Sequence, residues 1–310
     1  MSSSNESPSL KLNTGASIPV VGLGTWQSPE EDAYNAVVTA LQNGYRHIDT
    51  AAIYGNEEAV GKGIRDSGVP REEIFVTTKL WGTQQRDPEA ALDLSLQRLG
   101  LDYVDLYLIH WPVPLNAASI TDGNYLTFPR TSDGKIDIDI EEWNFIKTWE
   151  KLQHLPKSGK TKAIGVSNFS IKNIEALLAA NPDFIVPAAN QIEIHPQLPQ
   201  TELIDYCKSK GILIEAYSPL GSSSSTILTD PTIEGIASKY NAEPANILIS
   251  WGASRGYVVL PKSVNPQRIK TNLKLLDLST EDLEKINKLT ESAGAKRYVT
   301  PDFSPFKIFE

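Results

Sequence analysis

The chain has 310 residues, which supports one large domain or two ordinary ones with a sizeable core. Lys and Arg number 29 against 38 Asp and Glu, and the formal net charge of −9 excludes a surface built mainly for nucleic acid or anionic membranes. The lone cysteine, Cys207, excludes an intrachain disulfide framework and any multi-cysteine zinc or iron–sulfur site.

From the N-terminus, residues 10–20 read as a hairpin around a Gly15 turn, placed to plug the bottom of a barrel. Eight short apolar runs come next, at 20–25, 45–49, 74–78, 104–109, 163–166, 186–189, 212–216 and 258–260. Helical patterns lie between them at 29–43, 57–66, 87–99, 140–155, 171–180, 201–210 and 245–255, and another helix succeeds the last run. Near-continuous apolar strands separated by helices read as parallel strands covered on the outside. Eight such repeats are what a closed (β/α)8 TIM barrel needs; an open doubly wound sheet is the competitor. The stretch 231–240 and the tail from Ser279 fall outside the repeat as extra helices, and 111–139 as a long loop. No Pro/Ser-rich linker divides the chain, so residues 1–310 read as a single domain.

The polar residues at the ends of these apolar runs are informative. The runs end in Asp49, Lys79, His110, Ser167 and Asn168, Gln191, Tyr217 and Ser218, and Lys262. In a barrel these positions gather at one mouth, where the C-terminal strand ends meet, so groups distant in sequence converge on one pocket.

The residues now carry a family resemblance. Gly22-Leu23-Gly24-Thr25-Trp26, the run from Gly44 to Ala51, Tyr54-Gly55-Asn56-Glu57 and Thr78-Lys79 are similar to aldo-keto reductase signatures. So are residues 105–112, Gly165-Val166-Ser167-Asn168-Phe169, Asn190-Gln191 and Pro261-Lys262-Ser263-Val264, in order over nearly the whole chain. The C-terminal third most resembles the yeast NADP-dependent glycerol dehydrogenase type within that family. The resemblance implies a metal-free, monomeric barrel that reduces aldehydes and ketones with NADPH, through a tetrad of Asp49, Tyr54, Lys79 and His110.

Elementary chemistry supports those four types. Reducing a carbonyl requires a hydride on carbon and a proton on oxygen, from an acid that is regenerated near neutral pH. A free tyrosine, with a pKa of about 10, is a weak acid. An ammonium about 4 Å away contributes roughly 4 kcal/mol at an effective dielectric of 20, and a paired carboxylate offsets part of that field. A histidine can donate to the substrate oxygen and fix its angle.

Two dinucleotide signals fail on inspection. Gln27 stands where a Rossmann fingerprint needs its third glycine, and His154 where a P-loop ending in Gly159-Lys160-Thr161 needs its first. Tyr206 and Lys210 have the spacing of short-chain dehydrogenases, but Lys210 reads as the last turn of a helix ended by Gly211. Lys262, Ser263 and Arg268 form a cationic cluster suited to the 2′-phosphate of NADP, with no Asp or Glu between Lys262 and Asn272. The resemblance adds Gly24 and Thr25, and Asn272 on the adenine side. It also places Ser167, Asn168 and Gln191 on the nicotinamide amide, Tyr217 on its ring, and Ser218, Leu220 and Ser222 on the pyrophosphate.

Trp26, Trp81 and Trp111 come just after strand ends and would wall an apolar slot for a small-molecule carbonyl substrate. Trp143, Trp149 and Trp251 fall in helical patterns, as packing. The loop 112–139 and the tail 295–310, with bulky Tyr298, Phe303 and Phe306, are placed to close the slot, Tyr298 being the expected wall residue. A non-catalytic NADP-binding barrel, acting as a redox-sensing partner, is the alternative. A metal-dependent hydrolase is disfavoured because His47, His110, His154 and His195 show no ligand spacing with carboxylates. Residues 1–9 lack the basic and apolar regions of a secretory signal, and no apolar run reaches about 18 residues, so a cytoplasmic setting is expected.

Overall fold

The computed structural model describes residues 8–310, so most of the polar N-terminal stretch lies outside the described residues. A short antiparallel hairpin, β1 (Ser9–Lys11) and β2 (Ser17–Pro19), precedes the barrel. The repeat then runs β3 (Leu23–Gly24), α1 (Glu30–Gln42), β4 (His47–Asp49), α2 (Glu57–Asp66), β5 (Phe75–Leu80), α3 (Pro88–Leu99) and β6 (Val104–Ile109). It continues with α4 (Phe145–Leu152), α5 (Leu155–Ser158), β7 (Thr161–Ser167), α6 (Ile171–Ala180), β8 (Ala189–Glu193) and α7 (Thr201–Ser209). Next come β9 (Leu213–Tyr217), α8 (Pro231–Lys239), α9 (Pro244–Ser254), β10 (Val258–Leu260) and α10 (Pro266–Asn272), then α11 (Thr280–Asn287) and α12 (Leu289–Ala293).

Neighbouring strands from β3 to β10 pair in parallel and in chain order. The ring closes where Val21 and Gly24 bridge to Val259 and Lys262, with Gly24 N donating to the Pro261 carbonyl at 3.0 Å. Only this closure puts β3 beside β10, and it settles the choice between barrel and open sheet. Helices α8 and α11 are extra to the eight repeats, as expected.

Local chemistry sets the boundaries. Asp87 caps α3 by accepting from Ala90 N, Pro88 starts it, and Gly100 ends it in the left-handed region at φ 61°. The main core packs the outer face of the strands under the helices. A second cluster fills the barrel floor, where Leu12 and Ile18 of the hairpin meet Phe75, Leu106, Leu108 and Leu260. Full burial of Ile18 is worth roughly 1.5–3 kcal/mol, so the hairpin is a plug held by its own apolar face.

Three expectations are corrected. The strand expected at 186–189 forms as Ala189–Glu193, because Pro187 has no N–H for the ladder and Val186 is exposed. Gln191 therefore lies inside a strand. The helix expected at 140–155 starts at Phe145, where the Asn144 side chain caps it by accepting from Lys147 N, and is interrupted before Leu155. Trp143 consequently sits outside any helix, its indole N–H donating to Thr148 Oγ1 at 3.0 Å.

Candidate active site

Lys79, at the C-terminal part of β5, has no exposed side-chain surface. Its Nζ donates to Asp49 Oδ2 at 2.7 Å, to the Thr50 carbonyl at 2.9 Å and to the Tyr54 hydroxyl at 3.3 Å. Strand register explains the meeting. Asp49 stands opposite Thr77, so Lys79 lies one pleat repeat higher on the same interior face. Tyr54 closes a 3-10 turn after β4, and Gly55 takes φ 70°, a conformation open to glycine at little cost. Asn56 fixes that turn by donating to the Thr25 and Ser28 carbonyls at 2.9 and 3.0 Å.

The electrostatics follow from burial. It pulls the Lys79 pKa down, but Asp49 and Tyr54 outweigh it, so the balance is upward and the ammonium persists. Burial raises Tyr54 above 10.0 against the pull of Lys79, with Asp49 adding to the rise. The lysine alone leads to the opposite expectation; the phenol instead keeps its proton throughout the neutral range. Burial, and then the Lys79 charge, holds His110 well below 6.5, so its imidazole is neutral. That ring meets Tyr54 edge-on at 5.8 Å and Trp81 at 5.6 Å, and stacks on Trp111 at 6.4 Å. A protonated phenol between a buried ammonium and a neutral imidazole is suited to giving a proton to an oxygen that gains negative charge.

Beside this group, Gln191 Nε2 donates to Asp49 Oδ1 at 2.8 Å, Ser167 Oγ to the Gln191 carbonyl at 2.8 Å, and Asn168 Nδ2 to the His110 carbonyl at 3.0 Å. The Tyr217 hydroxyl donates to Asn168 Oδ1 at 2.7 Å. Gln27, Asn168 and Ser218 adopt φ of 54°, 62° and 49°, left-handed backbone outside glycine that costs about 1–3 kcal/mol each and is retained where surroundings enforce it. At the β10 end, Lys262 and Arg268 are exposed and make no salt bridge among the described residues. Ser263 Oγ accepts from Asn265 N and Asn265 Oδ1 from Arg268 N, which orders the start of α10, while Asn272 is buried at its end. Lys262 Nζ donates to the Gln27 carbonyl at 3.3 Å, and with the Arg268 guanidinium and the Ser263 hydroxyl hydrogen it makes a donor set that fits a phosphate dianion.

Residues 20–291 match the profile of the Aldo/keto reductase family. The chain belongs to the aldo/keto reductase family. It is 64% identical over 301 residues to the Saccharomyces cerevisiae protein named glycerol 2-dehydrogenase (NADP(+)), covering 97% of this chain and 96% of that one. It is 61% identical to aldehyde reductase YPR1 of the same yeast, covering 99% and 98%, and 48% identical to D-galacturonate reductase of Hypocrea jecorina, covering 95% and 96%.

In this aldo/keto reductase, the aromatic slot is built from parts distant in sequence. Trp81 and Trp111 pack with Phe303 and Ile308 of the tail and with Val113 and Leu115 of the long loop. Trp81 Nε1 donates to the Thr127 carbonyl at 2.7 Å, and Trp111 lies 5.6 Å from the Phe303 ring. Trp26 is 43% exposed at the rim. Tyr298 departs from expectation. Its hydroxyl donates to Gln197 Oε1 at 2.9 Å and its ring lies over His195, so Phe303 is the tail residue that joins the tryptophans. No group of three or more His, Cys, Asp or Glu able to hold a metal occurs among the described residues.

Sequence reasoning missed Asn56, Phe128, which stands edge-on to Trp81 at 4.8 Å, and above all Glu193. Glu193 is buried at the end of β8 and accepts from Tyr298 N at 2.8 Å, Val299 N at 2.9 Å and His195 Nε2 at 2.9 Å. Burial alone would raise its pKa, but these hydrogen bonds outweigh it and hold the carboxyl below 4.5. A carboxylate depressed in the folded state contributes stability above its unfolded value and loses it as pH falls through the folded one, so the tail should loosen only in acid. In Glu193→Gln, only one oxygen remains to accept, and the new amide faces a backbone N–H. The expected loss is about 1–3 kcal/mol, localised to the tail. Hydrogen exchange at Tyr298 and Val299 should then accelerate by about tenfold or more. Exchange at the parent's rate would remove Glu193 as the tail's anchor.

Proposed function

We propose that this enzyme reduces aldehydes and ketones to alcohols with NADPH, and that Tyr54 supplies the proton. The observation that carries the reading is the contact of Tyr54 with the buried Asp49–Lys79 pair, beside a neutral His110, at the mouth of a barrel. The named relatives support the reaction class, because an aldehyde reductase, a glycerol dehydrogenase and a galacturonate reductase all interconvert a carbonyl and an alcohol. NADPH, when bound, supplies the hydride to the carbonyl carbon. Tyr217 offers its ring to the nicotinamide, and Ser167, Asn168 and Gln191 offer their polar atoms to the amide. Ser218, Leu220 and Ser222 would face the pyrophosphate, with Gly24 and Thr25 also on the cofactor; Lys262, Ser263 and Arg268 would hold the 2′-phosphate and Asn272 the adenine side.

Each member of the tetrad has a separate task. His110 Nε2 donates to the substrate oxygen and sets its angle, which requires the neutral tautomer with the proton on that nitrogen. Consistent with this, His110 Nδ1 is buried without a partner among the described residues. As negative charge builds on oxygen, Tyr54 transfers its proton to it, since an alkoxide is a far stronger base than a phenolate. Lys79 stabilises the phenolate left behind, and Asp49, held by Gln191, keeps Lys79 charged and aimed. Trp81, Trp111 and Phe303, with Trp26 at the rim, exclude water and prefer small apolar or hydroxylated carbonyls, including glyceraldehyde-like aldehydes, dihydroxyacetone and keto esters. The whole mouth comes from one chain, so one copy of this single-domain barrel suffices for the chemistry, and we read the enzyme as a monomer.

Tyr54→Phe tests the chemistry. Reduction should fall by about 10²–10⁴, the usual contribution of a positioned acid, with NADPH affinity kept. A variant that keeps most of the parent's kcat, with hydride transfer rate-limiting, would exclude Tyr54 as donor. Lys262→Met tests the cofactor site and should weaken NADPH by about tenfold while sparing NADH, which has no 2′-phosphate. Equal weakening of both cofactors would place Lys262 elsewhere in the binding path.

A further inference from the structure

Beneath the tetrad, the barrel interior holds a second pair of ionisable groups that the proposed chemistry leaves unused. His47 lies two residues below Asp49 on β4 and shares its interior face. Glu215 lies on β9, in register with Gln191 of β8 and Val258 of β10. Both side chains are fully buried, and His47 Nε2 stands 3.8 Å from Glu215 Oε2. Neither that nitrogen nor either carboxyl oxygen has a hydrogen-bond partner among the described residues.

The tautomer is set by the surroundings of the ring. His47 Nδ1 is 3.3 Å from the Pro19 carbonyl, which can only accept, so Nδ1 carries the hydrogen and Nε2 presents a lone pair. A bare carboxylate against that lone pair would be two acceptors facing each other in a dry interior, which is costly. A protonated carboxyl is complementary to it. The ring has no room to withdraw, because a Cβ at Gly22 would already fall 2.7 Å from Nδ1, and Phe75 meets it edge-on at 5.1 Å.

We propose that Glu215 is held as the neutral acid against the lone pair of His47 under the tetrad, which makes Glu215 a positioning residue that fixes how much negative charge opposes Lys79. The inference rests on Tyr54 as the proton donor for its functional consequence. The charged groups around the pair come from each packed strand: Asp49 on β4, Lys79 on β5, and Asp105 on β6, the last offset by Arg71 and Lys162. Gln191 of β8 is engaged by Asp49, and Val258 of β10 is apolar. Burial and the Asp49 charge push Glu215 up to about 8, against smaller downward pulls from Lys79 and from the Gln191 amide. Burial pushes His47 down to about 4, although Asp49 opposes it. At neutral pH the proton therefore resides on Glu215 and points toward Nε2. Above about 8 it leaves to water and a second carboxylate opposes Lys79. The added negative charge raises the Tyr54 pKa further, so Tyr54 becomes a poorer acid and reduction slows. The alkaline fall in rate thus begins with Glu215, before Tyr54 itself titrates.

Two measurements on the full chain test this. Difference infrared spectra of the parent against E215Q, without cofactor, should show one protonated-carboxyl C=O band near neutral pH, lost as pH rises through about 8. This readout is independent of what the enzyme catalyses, so its failure is distinct from failure of the functional reading. The second is the pH profile of kcat/KM for NADPH-driven reduction. The parent should lose rate through about 8, whereas E215Q, whose amide copies the shape and neutrality of the protonated acid, should lack that break. H47Q is the second variant, and should shift the infrared band by changing what the carboxyl faces. Absence of the band, or an E215Q profile that matches the parent's, would overturn the proposal. The melting temperature of E215Q should equal or exceed the parent's, the gap widening toward pH 8, because only the parent must hold a buried acid that tends to ionise.

Discussion

Lys79 Nζ and Asp49 Oδ2 lie 2.7 Å apart with side chains 0% and 5% exposed, and withdrawing two such charges from water costs several kcal/mol per ion. The cost is recovered only if every remaining valence is satisfied, and the surroundings do that. Gln191 takes the other carboxylate oxygen, the Thr50 carbonyl takes a second ammonium hydrogen, and the Tyr54 hydroxyl a third. The pair is therefore expensive as a device for stability and effective as a device for placement. Tyr54 sits at the end of this network with its own proton retained.

The rest of the mouth supports that arrangement. The β4–β5 register brings Asp49 and Lys79 to one face, Gly55 and Asn56 fix the turn that presents Tyr54, and the Asn168 amide ties His110 to Tyr217. Below, the hairpin plug supplies the Pro19 carbonyl that orients His47, so even the floor contributes to the charge balance. Above, Glu193 holds the tail whose Phe303 covers the tryptophans. The tetrad residues thus stand on or just after strand ends, while the long loop and the tail pack around the tryptophans, a division common to barrels of this architecture.

Much of this was legible in the sequence because the repeat and the strand-end residues are local signals. Apolar runs ending in Asp49, Lys79, His110, Asn168 and Tyr217 are read from period and position alone, and α2, α6, β6 and β10 keep the boundaries that the pattern predicts. Other features depend on contacts between segments about a hundred residues apart. That Glu193 would meet the Tyr298 and Val299 amides, or that Tyr298 would turn onto His195 and leave the slot to Phe303, has no local periodicity to announce it. Glu215 inside an apolar strand pattern was a visible anomaly whose partner, His47, lies 168 residues earlier. The shift of β8 was readable in retrospect from Pro187, since a proline cannot donate to a ladder. The upward shift of Tyr54 needed the depth of the site, because distance to Lys79 alone leads to the opposite sign.

If the buried ammonium of Lys79 makes proton transfer from Tyr54 possible, its removal must slow hydride transfer itself. The most direct test is single-turnover hydride transfer in Lys79→Met with NADPH already bound, in protein shown to be folded by circular dichroism. The rate should be lower by about 10²–10⁴, with the NADPH Kd within about threefold of the parent's. A folded variant that binds NADPH and transfers hydride at the parent's rate would contradict it.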